Sequence, residues 1–506
     1  MLTIKNHTHI LLFACLLFLA TACAPASDSP GTPTGSSLSL QDCQLSASGL
    51  PIRLPARCGR LTVFEDRENN SGRQIELNIA VIPAVSRNPA PDPLFFLTGG
   101  PGQAATESYL QVSYAFDRIN QKRDIVLVDQ RGTGKSNPLN CTEIESEESA
   151  GDLDLPDEDE ELSQQLNDCL AGLDADPTLY TTSIAMQDLD EVRAALGYNQ
   201  INLYGVSYGT RAVLTYLQQY PTRVRSIVLD GVVPQDSALG LDVARDAQRA
   251  LDLIFARCAA EAECSQAFPN LHPEFKEILA DLSQSPVELT LAHPTTGEIV
   301  QETLTHEKFV SAVRLLTYTP ETAALIPLLI HTAHAQADYS LLAAQYLIVA
   351  DQLVSSISYG MNFSILCSED LPFITPAEAE QANTDTYMEN MQTDQLFKIC
   401  AEWPQGEVPA DFKQPVRSAV SALILSGEVD PVTPPQNGER VTQTLSNSLH
   451  LVVPGQGHNV IIRGCIPRIV TNFIESGSVQ GLETACVQAI KAMPFFVNFA
   501  GPVEMP

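Results

Sequence analysis

The segment Gly205-Val206-Ser207-Tyr208-Gly209 sets one serine in a G-x-S-x-G pattern. Ile201-Asn202-Leu203-Tyr204 before it reads as a short buried strand, and Thr210 to Leu217 after it reads as a helix. A strand–turn–helix of this kind lifts a hydroxyl above a sheet and aims a helix N-terminus at the reacting centre. The turn is tight, so the residues flanking Ser207 must be small. A serine nucleophile needs a base and an orienting acid. The chain has nine histidines. His7 and His9 lie in an apolar leader, and His272, His293, His306, His331 and His334 fall in a helical region. His450 starts a strand. His458 stands in Pro454-Gly455-Gln456-Gly457-His458-Asn459, a loop directly after the last predicted strand, and is the expected base. Asp430 and Glu428 share the loop Ser426-Gly427-Glu428-Val429-Asp430-Pro431-Val432-Thr433-Pro434, and either could orient an imidazole. Two backbone N–H groups are needed for a developing oxyanion. Tyr208 supplies one, and Gly99-Gly100-Pro101-Gly102 the other; Pro101 has no N–H, so Gly100 is expected there, with Gly102 in reserve.

These groups must hang from a scaffold. Gln74–Pro83 alternates apolar and polar residues and predicts an early antiparallel strand. Leu94–Leu97, Asp124–Asp129, Val224–Val233, Val420–Leu425 and Leu449–Val453 predict further strands, and Met186, Leu189, Val192 and Leu196 mark one face of a helix. Short apolar strands alternating with helices predict a mostly parallel α/β sheet. Between the two sets of strands the pattern turns helical (Ala244–Cys258, Pro273–Leu282, Phe309–Tyr318, Leu341–Ser356), predicting an inserted helical cap. The organisation is thus a leader over 1–22, a flexible tether over 23–42, a core over 43–234, a cap over 235–415 and the rest of the core over 416–506.

The chain has 506 residues, 44% hydrophobic and 18% charged, enough for a sizeable core. A net charge of −32 argues against nucleic acid as a partner and is compatible with a cationic substrate or simple solubility. Gly132-Thr133-Gly134-Lys135-Ser136 evokes a phosphate-binding loop, but the first glycine such a loop requires is Asp129 here. Lys5 and the apolar run Ile10 to Ala20 form an export signal. Ala20-Thr21-Ala22-Cys23 resembles the lipobox of bacterial lipoproteins, with Ala20 where leucine is usual. Lipidation of Cys23, giving a membrane anchor, is one expectation; cleavage by ordinary signal peptidase, giving a periplasmic or secreted protein, is the other. Ten of the twelve cysteines follow the leader. An even number in an exported chain suggests disulfides, and neighbour pairing (43–58, 141–169, 258–264, 367–400, 465–486) gives short loops. No C-x-x-C pair speaks for a metal site. Glu143–Glu161 carries eleven acidic residues and is expected as an exposed insertion between Cys141 and Cys169.

Together these motifs resemble the α/β-hydrolase superfamily, and within it the proline iminopeptidase and secreted tripeptidyl aminopeptidase branch of serine peptidases. The likeness rests on Gly99-Gly100-Pro101-Gly102, on Asp129-Gln130-Arg131-Gly132-Thr133-Gly134-Lys135-Ser136, on Gly205–Thr210, on Asp430-Pro431-Val432-Thr433-Pro434 with Gly457-His458, and on Cys400-Ala401-Glu402-Trp403-Pro404. The resemblance implies an α/β-hydrolase fold and a Ser207, Asp430, His458 triad. It further implies release of one or a few residues from the free N-terminus of a peptide, with no metal or organic cofactor. Thr98 stands where many proline iminopeptidases carry histidine, which weakens strict proline specificity. Aminopeptidases of this branch hold the substrate ammonium with acidic residues of the cap, and Glu369 and Asp370 are the candidates. An esterase or amide hydrolase with the same triad needs no such anchor. A lipid-anchored binding protein that had lost catalysis would lack a triad member, and none is missing.

Overall fold

The computed structural model describes residues 38–141, 159–354 and 356–502. Nine strands form one sheet: β1 (Gln41–Leu45), β2 (Leu54–Asp66), β3 (Ser71–Ile82), β4 (Leu94–Leu97), β5 (Ile125–Val128), β6 (Ile201–Val206), β7 (Val224–Asp230), β10 (Ser421–Gly427) and β11 (Ser448–Val453). β8 (Val287–Ala292) and β9 (Ile299–Leu304) pair only with each other. The sheet order is β1-β2-β3-β5-β4-β6-β7-β10-β11. From β5 to β11 every pairing is parallel, while β1, β2 and β3 form an antiparallel flank that joins through β3 to β5.

The parallel strands inside the sheet are buried on both faces, which is why they read as mostly apolar runs rather than alternations, while the edge strand β11 is only partly buried. Successive side chains still take opposite sides. Phe95, Leu203 and Ile227 pack against helices Thr182–Ala195 and Tyr208–Gln219, through Met186, Leu189, Val192, Val213 and Tyr216. Phe96, Tyr204 and Val228 face the helices Ala105–Val112 and Ile466–Ser476, through Tyr109, Leu110, Ile469 and Phe473. This is the three-layer α/β arrangement expected. The flank is larger than predicted, since β1 and β2 add two strands beyond β3. Leu61 and Val63 on β2 face the same core as Ile75 and Leu77 on β3.

Between β7 and β10 the chain makes the predicted insertion. Helices Val243–Ala260, Leu271–Leu282, His306–Leu316, Ile326–Gln336 and Ser340–Val354 supply most of it. Its core is separate from those of the sheet, built on Leu251, Phe255, Phe275, Phe309, Val313 and Tyr346. The β8–β9 hairpin is an element the helical reading passed over. Val287, Leu289 and Leu291 of β8 alternate with Glu288 and Thr290, and Leu291 and Leu304 are buried, a strand signal that the helical reading did not use. Gly297, which takes a positive φ of 76°, marks the turn between the two strands.

All five neighbour disulfides form: Cys43–Cys58, Cys141–Cys169, Cys258–Cys264, Cys367–Cys400 and Cys465–Cys486. The leader, Cys23 and the acidic stretch up to residue 158 lie outside the described residues. Residues 159–161 open the helix Asp159–Gly172. Among the described residues no helix is long and apolar enough to cross a membrane.

Candidate active site

The loops after β4, β5, β6, β10 and β11 leave the same, C-terminal edge of the sheet, because those strands run parallel. Four of the five predicted site segments are such loops, and open parallel sheets bind ligands at this edge. Ser207 follows β6 directly and holds φ 56°, ψ −129°, a left-handed setting that a side chain rarely adopts. Such a residue costs about 1–3 kcal/mol and is retained where position matters. The flanking glycines are obligatory. A Cβ on Gly205 would meet the Gly209 carbonyl at 2.5 Å, and one on Gly209 would strike the carbonyl oxygens of Leu97 and Thr98. Ser207 N donates to Asp230 O at 2.9 Å, and Thr210 returns two hydrogen bonds to Ser207 O, from its N at 2.8 Å and its Oγ1 at 2.6 Å.

His458 Nδ1 stands 2.8 Å from Asp430 Oδ2. The carboxylate is held on every side. Oδ1 accepts from the N–H groups of Val432 (2.9 Å) and Thr433 (2.8 Å), and Oδ2 accepts from Thr433 Oγ1 (2.8 Å). The pair is buried, which disfavours charge on both groups. The attraction between them wins: the His458 pKa lies above its ordinary value of 6.5 and that of Asp430 below 3.8. Thr433 Oγ1 is also 3.1 Å from His458 Nδ1. Glu428, the rival acid, instead accepts from Gly455 N at 2.7 Å, far from the imidazole Nδ1 in role.

Tyr208 opens the helix Tyr208–Gln219, so its N–H lies among the first amides of a helix, which lack intrahelical acceptors. Gly99 crosses against the nucleophile: a Cβ there would lie 3.0 Å from Ser207 Cβ. Gly100 has φ 103° and lines the same cavity as Ser207 and His458. The cap clasps this loop. Ser358 N donates to Gly102 O at 3.0 Å, and Asn362 Nδ2 to Pro101 O at 2.9 Å.

The Asp129–Ser136 run is a scaffold. Asp129 accepts from Thr106 N and Oγ1 and from Asn78 Nδ2, and Arg131 makes a two-point pair with Asp188 at 2.7 and 2.9 Å. Both are fully buried. Gly132 N closes on Ser136 O at 2.8 Å, making a compact turn where a phosphate cradle had been considered and set aside. His450 lies 3.0 Å from Ser426 Oγ, apart from the triad residues.

Glu369 and Asp370 correct the expectation of an amine anchor. Both are fully buried, and neither lines the cavity. Asp370 accepts from Arg211 Nη1 through both oxygens (2.9 Å each), from Lys413 Nζ (2.9 Å) and from Leu239 N (2.8 Å). Glu369 accepts from Thr182 N (2.5 Å) and Thr182 Oγ1 (2.7 Å), and Thr182 Oγ1 meets the Tyr208 hydroxyl at 2.6 Å. Burial pushes the Glu369 carboxyl up to about 7. Two adjacent acids after a cysteine could not reveal that both turn inward.

One residue escaped the sequence reading. Asp230 ends β7 and is fully buried. It accepts from the Tyr204 hydroxyl at 2.8 Å and from Val460 N and Ile461 N at 2.9–3.1 Å, tying the His458 loop to the elbow strand. Burial raises it to about 6 against those donors. An aspartate closing an otherwise apolar strand was the available signal.

Ser207, His458, Gly99, Gly100 and Pro101 face a cavity of about 1890 Å³ that is also lined by cap residues including Arg314, Tyr318, Glu389 and Asp394. A hydroxyl on an elbow, an imidazole fixed by a carboxylate and free amides on one wall can carry out acyl transfer. The sheet, its elbow and its inserted helical domain define a hydrolase of the α/β-hydrolase fold. Residues 92–262 match the family model described as alpha/beta hydrolase fold, and residues 385–486 match that of the TAP-like proteins. The chain is 25% identical to the putative hydrolase YuaR of Escherichia coli, over 79% of this chain and 80% of that one. It is 24% identical to the serine protease Hip1 of Mycobacterium tuberculosis, over 87% and 89%. It is 31% identical to the tripeptidyl aminopeptidase of Streptomyces lividans, over 38% of each. The chain is a member of the α/β-hydrolase superfamily, related at low identity to its peptidases.

Proposed function

We propose that this protein is a serine hydrolase that opens ester and amide bonds through an acyl-enzyme on Ser207. The observation that carries this reading is the His458–Asp430 pair, fixed at 2.8 Å on the wall of the cavity that Ser207 enters. His458 Nε2 takes the Ser207 proton as the oxygen attacks the scissile carbonyl. The Tyr208 and Gly100 N–H groups receive the oxyanion. His458 then protonates the leaving group, and water, deprotonated by the same imidazole, releases the acyl fragment. Asp430 holds the tautomer and stabilises the imidazolium. The form without a free-amine requirement is favoured, since Glu369 and Asp370 are engaged in the interior.

A second reading, N-terminal trimming of peptides, is supported by the TAP-like match and by the tripeptidyl aminopeptidase relative. Glu389 and Asp394 on the cavity wall would then replace Glu369 and Asp370 as ammonium partners. Export is part of the proposal. Five disulfides support an oxidising compartment, with Cys23 either lipidated or removed with the leader.

The deciding experiment is a panel of Pro-, Ala- and Ala-Ala-Pro-anilides, their N-acetylated forms and a short-chain ester. Comparable rates on free and blocked substrates are expected. Cleavage restricted to free-amine peptides would establish the second reading, and persistence of activity in Ser207→Ala would remove both.

The pH dependence has a definite sign. His458 must be neutral to accept a proton, and Asp430 raises its pKa. The kcat/KM profile should fall as pH drops through a value above 6.5. Asp430→Asn should move that acid limb to lower pH as well as slow turnover. An acid limb unmoved by Asp430→Asn would detach it from His458.

A further inference from the structure

Arg314 is a cation in the catalytic cavity that the proposed mechanism does not use. It lies on the helix His306–Leu316 and lines the same space as Ser207 and His458. Among the described residues no carboxylate pairs with it. Its guanidinium makes one hydrogen bond among the described residues, from Nη2 to the Tyr318 hydroxyl at 3.0 Å, and stands 5.5 Å from the centre of the Tyr318 ring. Nε is buried without a partner. The neighbouring cation differs: Lys308 Nζ is 2.8 Å from Glu302 Oε1. The contrast is sharper for a chain of net charge −32, where carboxylates are abundant. The buried arginines of the scaffold, Arg131 and Arg211, are each matched to an aspartate.

The position is informative as well. Tyr318 packs edge-on to the His458 ring at 5.4 Å, and its carbonyl accepts from His458 N at 2.7 Å. Arg314 therefore reaches the cavity from the His458 side. The imidazole delivers its proton to the leaving group, so this side faces the departing half of the substrate. The glycine loop and Tyr208 N–H stand on the oxyanion side.

A partly desolvated guanidinium with an unused donor is costly alone and strongly favourable when a carboxylate completes it, by parallel N–H···O bonds in a fixed fork. We propose that Arg314 binds a carboxylate on the leaving-group side of the substrate, so that the preferred substrates release a carboxylate-bearing fragment such as a short peptide with a free C-terminus. This rests on the serine-hydrolase reading of Ser207 and His458. It adds the chemical class of the leaving fragment, which that reading leaves open. The same contact would disfavour substrates whose departing half is apolar or cationic, because the cation would stay unpaired against them.

The test uses substrate pairs that differ by one carboxylate. One pair carries Ala-Ala-Pro on 4-nitroaniline or on 3-carboxy-4-nitroaniline; a second pair uses the matching phenyl esters. The wild-type protein should favour the carboxylate member by about tenfold or more in kcat/KM. Arg314→Met should bring that ratio towards one, and Arg314→Lys should keep part of it. Equal wild-type rates on the two members overturn the proposal. So does an equal fall on both members in Arg314→Met, which would make Arg314 a support for Tyr318 alone. A succinyl-capped pair checks the side: a preference that follows an acyl-side carboxylate and depends on Arg314 would overturn the leaving-group assignment. The wild-type ratio needs no variant to fold. Absence of hydrolysis on every member, or hydrolysis that survives Ser207→Ala, would instead sink the hydrolase reading and this inference with it. A Ser207-dependent rate without carboxylate preference would sink this inference only.

Discussion

Ser207→Ala is expected to lower kcat/KM on any cleaved substrate by a factor on the order of 10⁴–10⁶, since loss of a triad nucleophile removes the covalent route altogether. Stability should barely move, by less than about 0.5 kcal/mol. Among the described residues the serine hydroxyl makes no hydrogen bond that holds the fold; the elbow is held by Ser207 N and O, which alanine retains. Alanine also keeps the φ of 56°, so the strain of the turn stays. Measured together, rate and urea unfolding separate a chemical role from a structural one. A loss of less than about a hundredfold would mean that another nucleophile acts, and the acyl-enzyme mechanism would have to be abandoned.

The second large effect is one of stability. Asp370→Ala leaves Arg211 and Lys413 buried without their shared carboxylate. Breaking one side of a buried ion pair costs about 3–5 kcal/mol, a large share of the net stability of a folded chain. The direction of the pKa values agrees. Against burial, the two cations hold Asp370 below its ordinary 3.8, so the ionised form is the one the fold selects. By linkage, a carboxylate depressed in the folded state gives stability above its unfolded pKa and loses it as pH falls through the folded one. The wild-type protein should therefore lose part of its stability between about pH 5 and the depressed pKa of Asp370, and Asp370→Ala should lose less over that window. Urea titrations at pH 7 and at pH values below 3.8 would show both effects. Were Asp370 a substrate ligand instead, the variant would unfold like the wild type and fail only in KM for free-amine peptides.

These two residues mark the boundary between what local sequence says and what it cannot. Ser207 was legible because a turn this tight constrains its neighbours: Gly205 and Gly209 are required by backbone contacts within the same strand–turn–helix and with the adjacent strand end. His458 was legible by position, as the loop histidine that follows the last strand. The strands β4, β5, β6, β7 and β10 were legible because burial on both faces leaves them mostly apolar, and the partly buried edge strand β11 was legible by Leu449, Leu451, Val452 and Val453. The insertion was legible as a change of period, although the β8–β9 hairpin, where Val287, Leu289 and Leu291 alternate with Glu288 and Thr290, was passed over within it. β1 and β2 were not assigned from the sequence, and their pairing with each other and with β3 places them on the sheet.

Glu369 and Asp370 show the opposite case. Their residue types suit an ammonium site, and nothing within ten residues says that Thr182, Arg211 and Lys413 surround them. Those partners are 43 to 187 positions away in the chain. Asp230 and Arg314 depend likewise on the tertiary structure, one on amides of the His458 loop, the other on the lack of any nearby acid. The sequence by itself indicated the fold class, the neighbour cysteine pairs and the loop positions of the proposed nucleophile and base, because each rests on short-range geometry: a turn, a strand run, a loop short enough to close. Which carboxylates face the substrate and which are spent inside was decided only by the tertiary structure, because the cost of burying a charge is met by partners that the chain brings together from distant positions.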